Sequence, residues 1–377
     1  MFSHSGHRIK AFKPHTATIN DISFDSKHEF IATASVDGQV FVTSVYGQER
    51  YYFNFKRPMK AISLDPQFSK KSSRAFICGG MAGELTLNEK GWFGHVQKHL
   101  QPLNKDEGPI CSCIWKDNTI AWSNDKGVRI YDILNSKLIA FVEKISGLPR
   151  PDLFRVSLCF TDNHTLIIGW GNIIRIVKLI NNNNGSNFNN SNNTIARIES
   201  TFEMDATVSS VVPYDDTLLV LAWLEPDGAL LADEYITDKS AQRKRTSKRP
   251  ELRVLTLDGE ESAEDRLPIR DFYLYSCNDY KLISSEFPTR NGIRSGFYFM
   301  SPRDIVRVET RDEVDHVHWL IDGGKYEEAL ECALELKCEH DLNLDELGQK
   351  FLKSLIDEGG FFYFLLIKMK YKLTNAI

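Results

Sequence analysis

Six times along this chain an apolar strand runs out on an aspartate, and another strand follows almost at once. The segments are Ile22-Ser-Phe-Asp25, Ile62-Ser-Leu-Asp65, Ile114-Trp-Lys-Asp117, Cys159-Phe-Thr-Asp162, Val212-Pro-Tyr-Asp215 and, more weakly, Tyr275-Ser-Cys-Asn-Asp279. Successive aspartates stand 40, 52, 45, 53 and 64 residues apart. A repeat of roughly 40 to 50 residues made only of short strands is the mark of a β-propeller blade. Propellers are mostly rigid interaction platforms. The pattern therefore points to a chain that binds proteins and does not make or break bonds.

Within the first units each aspartate is followed by a second strand and a glycine turn. The turns are Asp37-Gly38, Ala82-Gly83, Lys126-Gly127 and Gly171-Asn172, and they feed third strands at Gln39–Val45, Glu84–Leu87, Val128–Ile133 and Ile173–Leu179. Such pairs suit tight hairpins because the turn needs positive φ. Fourth strands follow at Glu49–Phe55 and Lys137–Val142, and the last blade closes with Gly296–Met300 and Asp304–Val308. Ser5 to His15 reads as the closing strand of an earlier blade. The aspartates read as turn caps, bonding their own backbone through the side chain.

After Arg311 the apolar period lengthens from two to about 3.6. Tyr326, Ala329, Leu330, Ala333 and Leu334 make one stripe, Leu344, Leu347, Phe351, Leu352 and Leu355 a second, and Val314 to Ile321 a shorter helix ended by Gly323-Gly324. Short helices in series read as the start of an α-solenoid. The expected architecture is an all-β, WD40-like propeller of about six to seven blades, the first incomplete, over residues 1–310. The first helices of an α-solenoid follow over 311–377. Two insertions, at about 181–193 and 238–250, are expected to be disordered. The first holds nine asparagines in thirteen residues and cannot build a core.

The chemistry of the side chains narrows the function further. A net charge of −5 argues against a dedicated nucleic-acid binder. Seven cysteines, an odd number, with no apolar leader after Met1, fit a reducing cytosol. Cys111 and Cys113 have no second pair, while Cys332, Cys338 and His340 scatter around a helix, as do His316 and His318. No metal or cofactor is expected. No nucleophile elbow or phosphate-cradling glycine loop occurs, so no catalytic residue is assigned. The richest apolar segment, Phe361 to Ile367, is too short to span a bilayer. The tail from Phe361 to Tyr371 reads as a buried solenoid helix, a membrane-surface helix or a non-native end.

One charge run carries a functional hint. Lys239, Arg243, Lys244, Arg245, Lys248 and Arg249 include no acid among them. The run reads either as a solvated loop or as a contact for anionic lipid or an acidic partner, each basic residue near an anionic bilayer contributing about 1 kcal/mol. Ser240, Thr246 and Ser247 lie inside it, and phosphorylation there would weaken such a contact.

Several segments together resemble the vacuolar-protein-sorting subunit 41 family, the subunit of the HOPS membrane-tethering complex. They are Ile62-Ser-Leu-Asp65-Pro66, Ala121-Trp122-Ser-Asn124 with Gly127-Val-Arg-Ile-Tyr131-Asp132, Leu166-Ile-Ile-Gly-Trp170-Gly171, and Ser301-Pro-Arg-Asp304. Asp315-His316 with Trp319-Leu320 and Lys325-Tyr-Glu-Glu-Ala-Leu330 follow in order. The resemblance implies a propeller, a long α-solenoid and a zinc-binding RING-type domain for which these residues hold no counterpart. It also implies tethering at late endosomes and vacuoles or lysosomes, in vesicle-mediated protein transport and fusion. The partners it implies are other HOPS-type subunits, a late-endosomal/vacuolar Rab GTPase and the vacuolar-route adaptor complex. The expected location is cytoplasmic and peripheral on those membranes. A coat-type propeller–solenoid scaffold of vesicle traffic shares the architecture, and self-assembly into lattices would distinguish it.

Overall fold

Strand pairing follows the chain. In the computed structural model each strand pairs antiparallel with the next, and the run breaks after four. The structure describes residues 11–12, 15–100, 107–182, 193–226, 239–289, 292–309, 313–335, 347–351 and 353. The first sheet is β1 (Ile19–Phe24), β2 (Phe30–Ser35), β3 (Gln39–Ser44) and β4 (Arg50–Asn54) in that order. The second is β5 (Met59–Leu64), β6 (Phe76–Gly80), β7 (Thr86–Gly91) and β8 (Gly94–His99). The third is β9 (Ser112–Lys116), β10 (Thr119–Ser123), β11 (Gly127–Asp132) and β12 (Lys137–Glu143). The fourth is β13 (Ser157–Phe160), β14 (Thr165–Trp170), β15 (Ile173–Asn182) and β16 (Asn193–Glu203). The fifth is β17 (Thr207–Tyr214), β18 (Thr217–Trp223), β19 (Glu251–Thr256) and β20 (Glu261–Arg266). A sheet of three, β21 (Lys281–Thr289), β22 (Gly292–Met300) and β23 (Ile305–Glu309), completes a six-bladed propeller.

The blade that begins at Ile19 has all four strands, and among the described residues the last sheet has three. Ser5–His15 lies almost wholly outside the described residues.

The core lies between blades. Phe30, Val40 and Val42 of the first blade pack on Met59, Ile62, Leu64 and Phe76 of the second. Equivalent seams join the second to the third blade, the third to the fourth and the fourth to the fifth. A strand in the middle of a blade is covered on both faces. That is why β6 and β14 are buried at every residue and read as continuous apolar runs. The outermost strands β8 and β20 are exposed at every residue.

Four of the six repeated aspartates cap turns through their side chains, each with its own geometry. Asp25 accepts from the Phe30 N–H at 2.9 Å, and Asp65 from that of Gln67 at 2.8 Å. Asp162 accepts from the N–H of His164 and the hydroxyl of Thr165. Asp117 and Asp215 instead take the left-handed backbone of two-residue hairpins, with φ of 47° and 48°. Asp279, the weak sixth copy, does not end a strand. It closes a 3-10 turn over Cys277–Asp279 by capping Ser276. Gly38, Gly83 and Gly171 adopt the expected positive φ. Gly127 does not; its turn is held by Asn124, which accepts from the N–H groups of Lys126 and Gly127.

In place of disorder at 238–250, Lys239–Thr246 form a helix, α1. In the asparagine tract, Asn181 and Asn182 pair with Thr194 and Asn193 at the end of the β15–β16 hairpin. Residues 183–192 lie outside the described residues. Helices α2 (Glu313–Asp322) and α3 (Tyr326–Glu335) match the stripe read from sequence. Ala329, Leu330 and Ala333 are buried and Leu334 stays exposed. Between these helices Gly324 reverses the chain at a φ of 73°. Residues 347–351 are helical, with Leu347 and Phe351 buried, and the tail from Phe361 is outside the described residues. By compactness the chain divides into Met1–Ser284 with Tyr298–Val306, and Ser285–Phe297 with Arg307–Ile377.

Candidate functional site

The first strand of every blade faces a central channel, because the strand order in each sheet runs outward from it. Side chains on these inner strands tie neighbouring blades together at four seams. Asp21 Oδ2 accepts from the Ile62 N–H at 3.0 Å, and Ser23 Oγ from the Leu64 N–H at 3.0 Å. Ser63 Oγ accepts from the Trp115 N–H at 3.1 Å, and Ser157 Oγ from the Val211 N–H at 3.0 Å. Ser210 donates to the Leu282 carbonyl at 3.3 Å. Polar strand residues that read as surface positions are therefore clasps.

The channel encloses about 270 Å³. Across it Arg155 bonds the Asp21 carboxylate at 2.8 Å and the Asn20 carbonyl at 3.0 Å. Its own N–H donates to Asn278, whose amide donates back to the Leu153 carbonyl. Burial works against the Arg155 charge, but the Asp21 carboxylate more than offsets it and raises the pKa. Lys281 lines the same space; burial first and the Arg155 charge second push its pKa down. Burial raises the nearby thiols, Cys111 to about 11 and Cys113 well above its usual value. Such thiols stay protonated and behave as small apolar groups. Among the described residues no three His, Cys, Asp or Glu gather as a metal site. The channel geometry is that of a structural clamp. Sequence reasoning missed Arg155, because its partner lies in another blade.

The basic run lies in the connection between β18 and β19. Arg243, Lys244 and Arg245 are exposed on the last turn of α1. Lys244 sits over the Tyr273 ring at 5.8 Å, and Arg249 over Phe272 at 5.2 Å. Lys248 is exposed. Thr246 is buried, its hydroxyl donating to the Gln242 carbonyl, and Ser247 is half-buried with its N–H on the Arg243 carbonyl. Lys239 and Ser240 belong to the helix, but their side chains are outside the described residues. The run thus splits between solvent and two aromatic rings. A kinase could not reach the Thr246 hydroxyl without unwinding the helix end.

The segments that carried the resemblance are packing devices. In Ser301-Pro-Arg-Asp304, the serine hydroxyl accepts from the Asp304 N–H, Asp304 holds the Arg270 guanidinium, and Arg303 holds Asp271 at 2.6 Å. In Leu166–Gly171, the Trp170 indole donates to the Pro149 carbonyl at 2.9 Å. A β-carbon on Gly169 would come within 2.7 Å of Val208 in the next blade. In Ala121–Asn124, Ser123 bonds Ser112 at 2.7 Å, and Asn124 donates to Glu107. Glu107 also holds Arg129.

The family model described as the Vps42 beta-propeller, labelled for Vps41, matches residues 1–309. The chain is 35% identical over 369 residues to the vacuolar protein sorting-associated protein 41 homolog of Solanum lycopersicum, across 94% of this chain and 38% of that one. Against the Homo sapiens homolog it is 32% identical over 360 residues, covering 94% and 40%. Against the Schizosaccharomyces pombe protein it is 29% identical over 364 residues, covering 96% and 39%. The chain thus spans about two fifths of the length of the curated relatives it matches. Among solved structures, the Cps50 (Swd1) β-propeller domain of Myceliophteria thermophila superposes with a TM-score of 0.52 at 13% identity, over 70% of this chain and 78% of that one. At that identity the likeness shows the fold alone.

Proposed function

The chain belongs to the Vps41 family, and from that premise we propose that it carries the propeller of a non-enzymatic HOPS-type tethering subunit. In this reading it acts in protein transport to the vacuole or lysosome and in fusion there. The observation that carries the reading is that the family match, residues 1–309, covers the six sheets described above. A ring clasped blade to blade gives up little freedom when a partner docks, which favours a platform. Tethering then raises the effective concentration of two membranes, as linked sites do for ligands.

The proposed partners are the other subunits of such a complex, a late-endosomal/vacuolar Rab GTPase and the vacuolar-route adaptor complex. The proposed location is peripheral on late-endosomal and vacuolar membranes. Among the described residues no helix is long and apolar enough to cross a membrane. Lys244 and Arg249 being over aromatic rings, Arg243, Arg245 and Lys248 are the exposed cations left through which the basic run would meet an acidic partner. Its regulation by phosphate would fall on Ser247 before Thr246, since Thr246 is buried.

Capture of the chain on late-endosomal Rab loaded with GTP analogue or GDP tests this reading. GTP-selective retention supports it. Equal or absent retention with both nucleotides removes the GTPase from the proposal.

A further inference from the structure

Antiparallel pairing sends the chain to alternate faces of the propeller. The β1–β2 and β3–β4 turns of a blade lie on one face, and the β2–β3 turn and the crossing to the next blade lie on the other. Inner strands of adjacent blades run parallel: Asp21 faces Ile62, Ser23 faces Leu64, and Ser26 donates to the Pro66 carbonyl. The alternation therefore holds around the ring. The outer hairpins β3–β4, β7–β8 and β11–β12 emerge on a common face, and α1, between β18 and β19, on the opposite one.

All three of those hairpins end on an exposed large apolar residue. Tyr46 tips the first at 80% exposure and Leu134 the third at 73%. The second is the extreme case. Its two-residue turn is Trp92-Phe93 between Gly91 and Gly94, exposed at 101% and 106%. Below it the β5–β6 connection on the same face brings Lys70, Lys71 and Arg74 beside Lys90 and Trp92, around an open hollow of about 600 Å³. Lys71 is bound to Asp65 and Arg74 to Glu49. Lys70 and Lys90 have no ion-pair partner among the described residues.

We infer that the Trp92-Phe93 hairpin, flanked by Tyr46 and Leu134, is a prong that enters an anionic membrane surface directly. A protein hot spot is an aromatic seated in a desolvated patch with a rim around it. This pair is instead a fully exposed tip, standing out from the open hollow and not seated in it. Trp and Tyr favour the membrane–water interface, where an apolar ring can be buried beside polar headgroups. The free lysines beneath match headgroups of negative charge. On the same face the fifth blade presents Asp258 and Glu260 at its outer turn, with Glu261 at the start of β20. Those acids repel such a surface, so the ring tilts onto blades one to three. Because α1 lies on the other face, this contact is independent of the basic run and of the GTPase reading.

Flotation of the full chain with phosphatidylcholine vesicles, with and without phosphatidylserine, tests the inference. The expected result is flotation that requires phosphatidylserine. Trp92→Ser/Phe93→Ser lowers partitioning about tenfold or more, and Lys70→Glu or Lys90→Glu lowers it roughly fivefold each. Arg243→Glu/Arg245→Glu on the opposite face leaves it unchanged. Bromine-labelled acyl chains quench fluorescence in the wild-type chain and lose most of that effect in Trp92→Tyr. Unaltered melting of the tip variant, whose side chains are fully exposed, confirms that folding is intact. Flotation that survives loss of the tip, that fails with the α1 variant alone, or that never occurs overturns the inference. Tip-dependent pairing of two copies without vesicles overturns it as well, by assigning the prong to protein.

Discussion

The guanidinium of Arg155, at the entry to the fourth blade, holds the carboxylate of Asp21 in the first at 2.8 Å, across the centre of the ring. Asp21 is almost fully buried and spends its other oxygen on the Ile62 N–H. Removing the cation leaves a buried carboxylate unpaired, which costs more than the pair contributes when intact. Arg155→Met is expected to destabilise the propeller by about 3 kcal/mol. Adding Asp21→Asn to it should restore part of the loss. Urea denaturation of the single and double variants checks this, and equal midpoints for Arg155→Met and wild type would refute the clamp.

Ser63 is the acceptor for the Trp115 N–H in the seam between the second and third blades. Ser63→Ala orphans a buried donor and should cost ~1–3 kcal/mol, whereas an exposed serine changed to alanine costs within ~0.5 kcal/mol. The same change at Ser157, in the seam between the fourth and fifth blades, should add to it without coupling, since the two share no partner.

Gly80 ends β6 where the first blade crosses to the second. A β-carbon there would lie 2.2 Å from the Pro58 carbonyl oxygen, a backbone atom that cannot swing aside. Gly80→Ala should therefore destabilise by more than about 2 kcal/mol. A thermal midpoint unchanged from wild type would show that the seam opens more easily than its geometry indicates.

Burial pushes the thiols of Cys78, Cys159 and Cys277 up to about 12 from an ordinary 9.0. Below pH 9 they are neutral in both states and their contribution is complete. As pH rises past that value the unfolded chain releases protons that the fold retains, so stability falls progressively towards pH 12. Denaturation curves taken under reducing conditions from about pH 8 to about pH 10 should shift steadily to lower midpoints. In the folded chain at about pH 8 these three thiols should react with a disulfide reagent only as fast as the chain opens.

Much of the fold was legible because its signals are local. Asp25, Asp65 and Asp162 bond N–H groups within five residues of themselves, so period and turn chemistry appear together in the sequence. Gly38, Gly83 and Gly171 carry the positive φ their turns require. The stripe through Ala329, Leu330 and Ala333 was equally plain, since a helix buries neighbours three and four apart. The helix at Lys239–Thr246 was not legible, because a run of like charges reads as solvated until Tyr273 and Phe272 are seen beneath it.

What the sequence determined by itself is the repeat, its four-strand unit and the helices after it, all set by contacts within one blade or one helix. Only the tertiary structure decided what the inner-strand serines, Arg155 and the Trp92-Phe93 turn are for. Ser23 and Ser63 find their partners 41 and 52 residues away, in another blade. Whether an aromatic pair is core or prong depends on which face its hairpin leaves. That follows from closing the ring, since contacts between blades join residues that no local period relates.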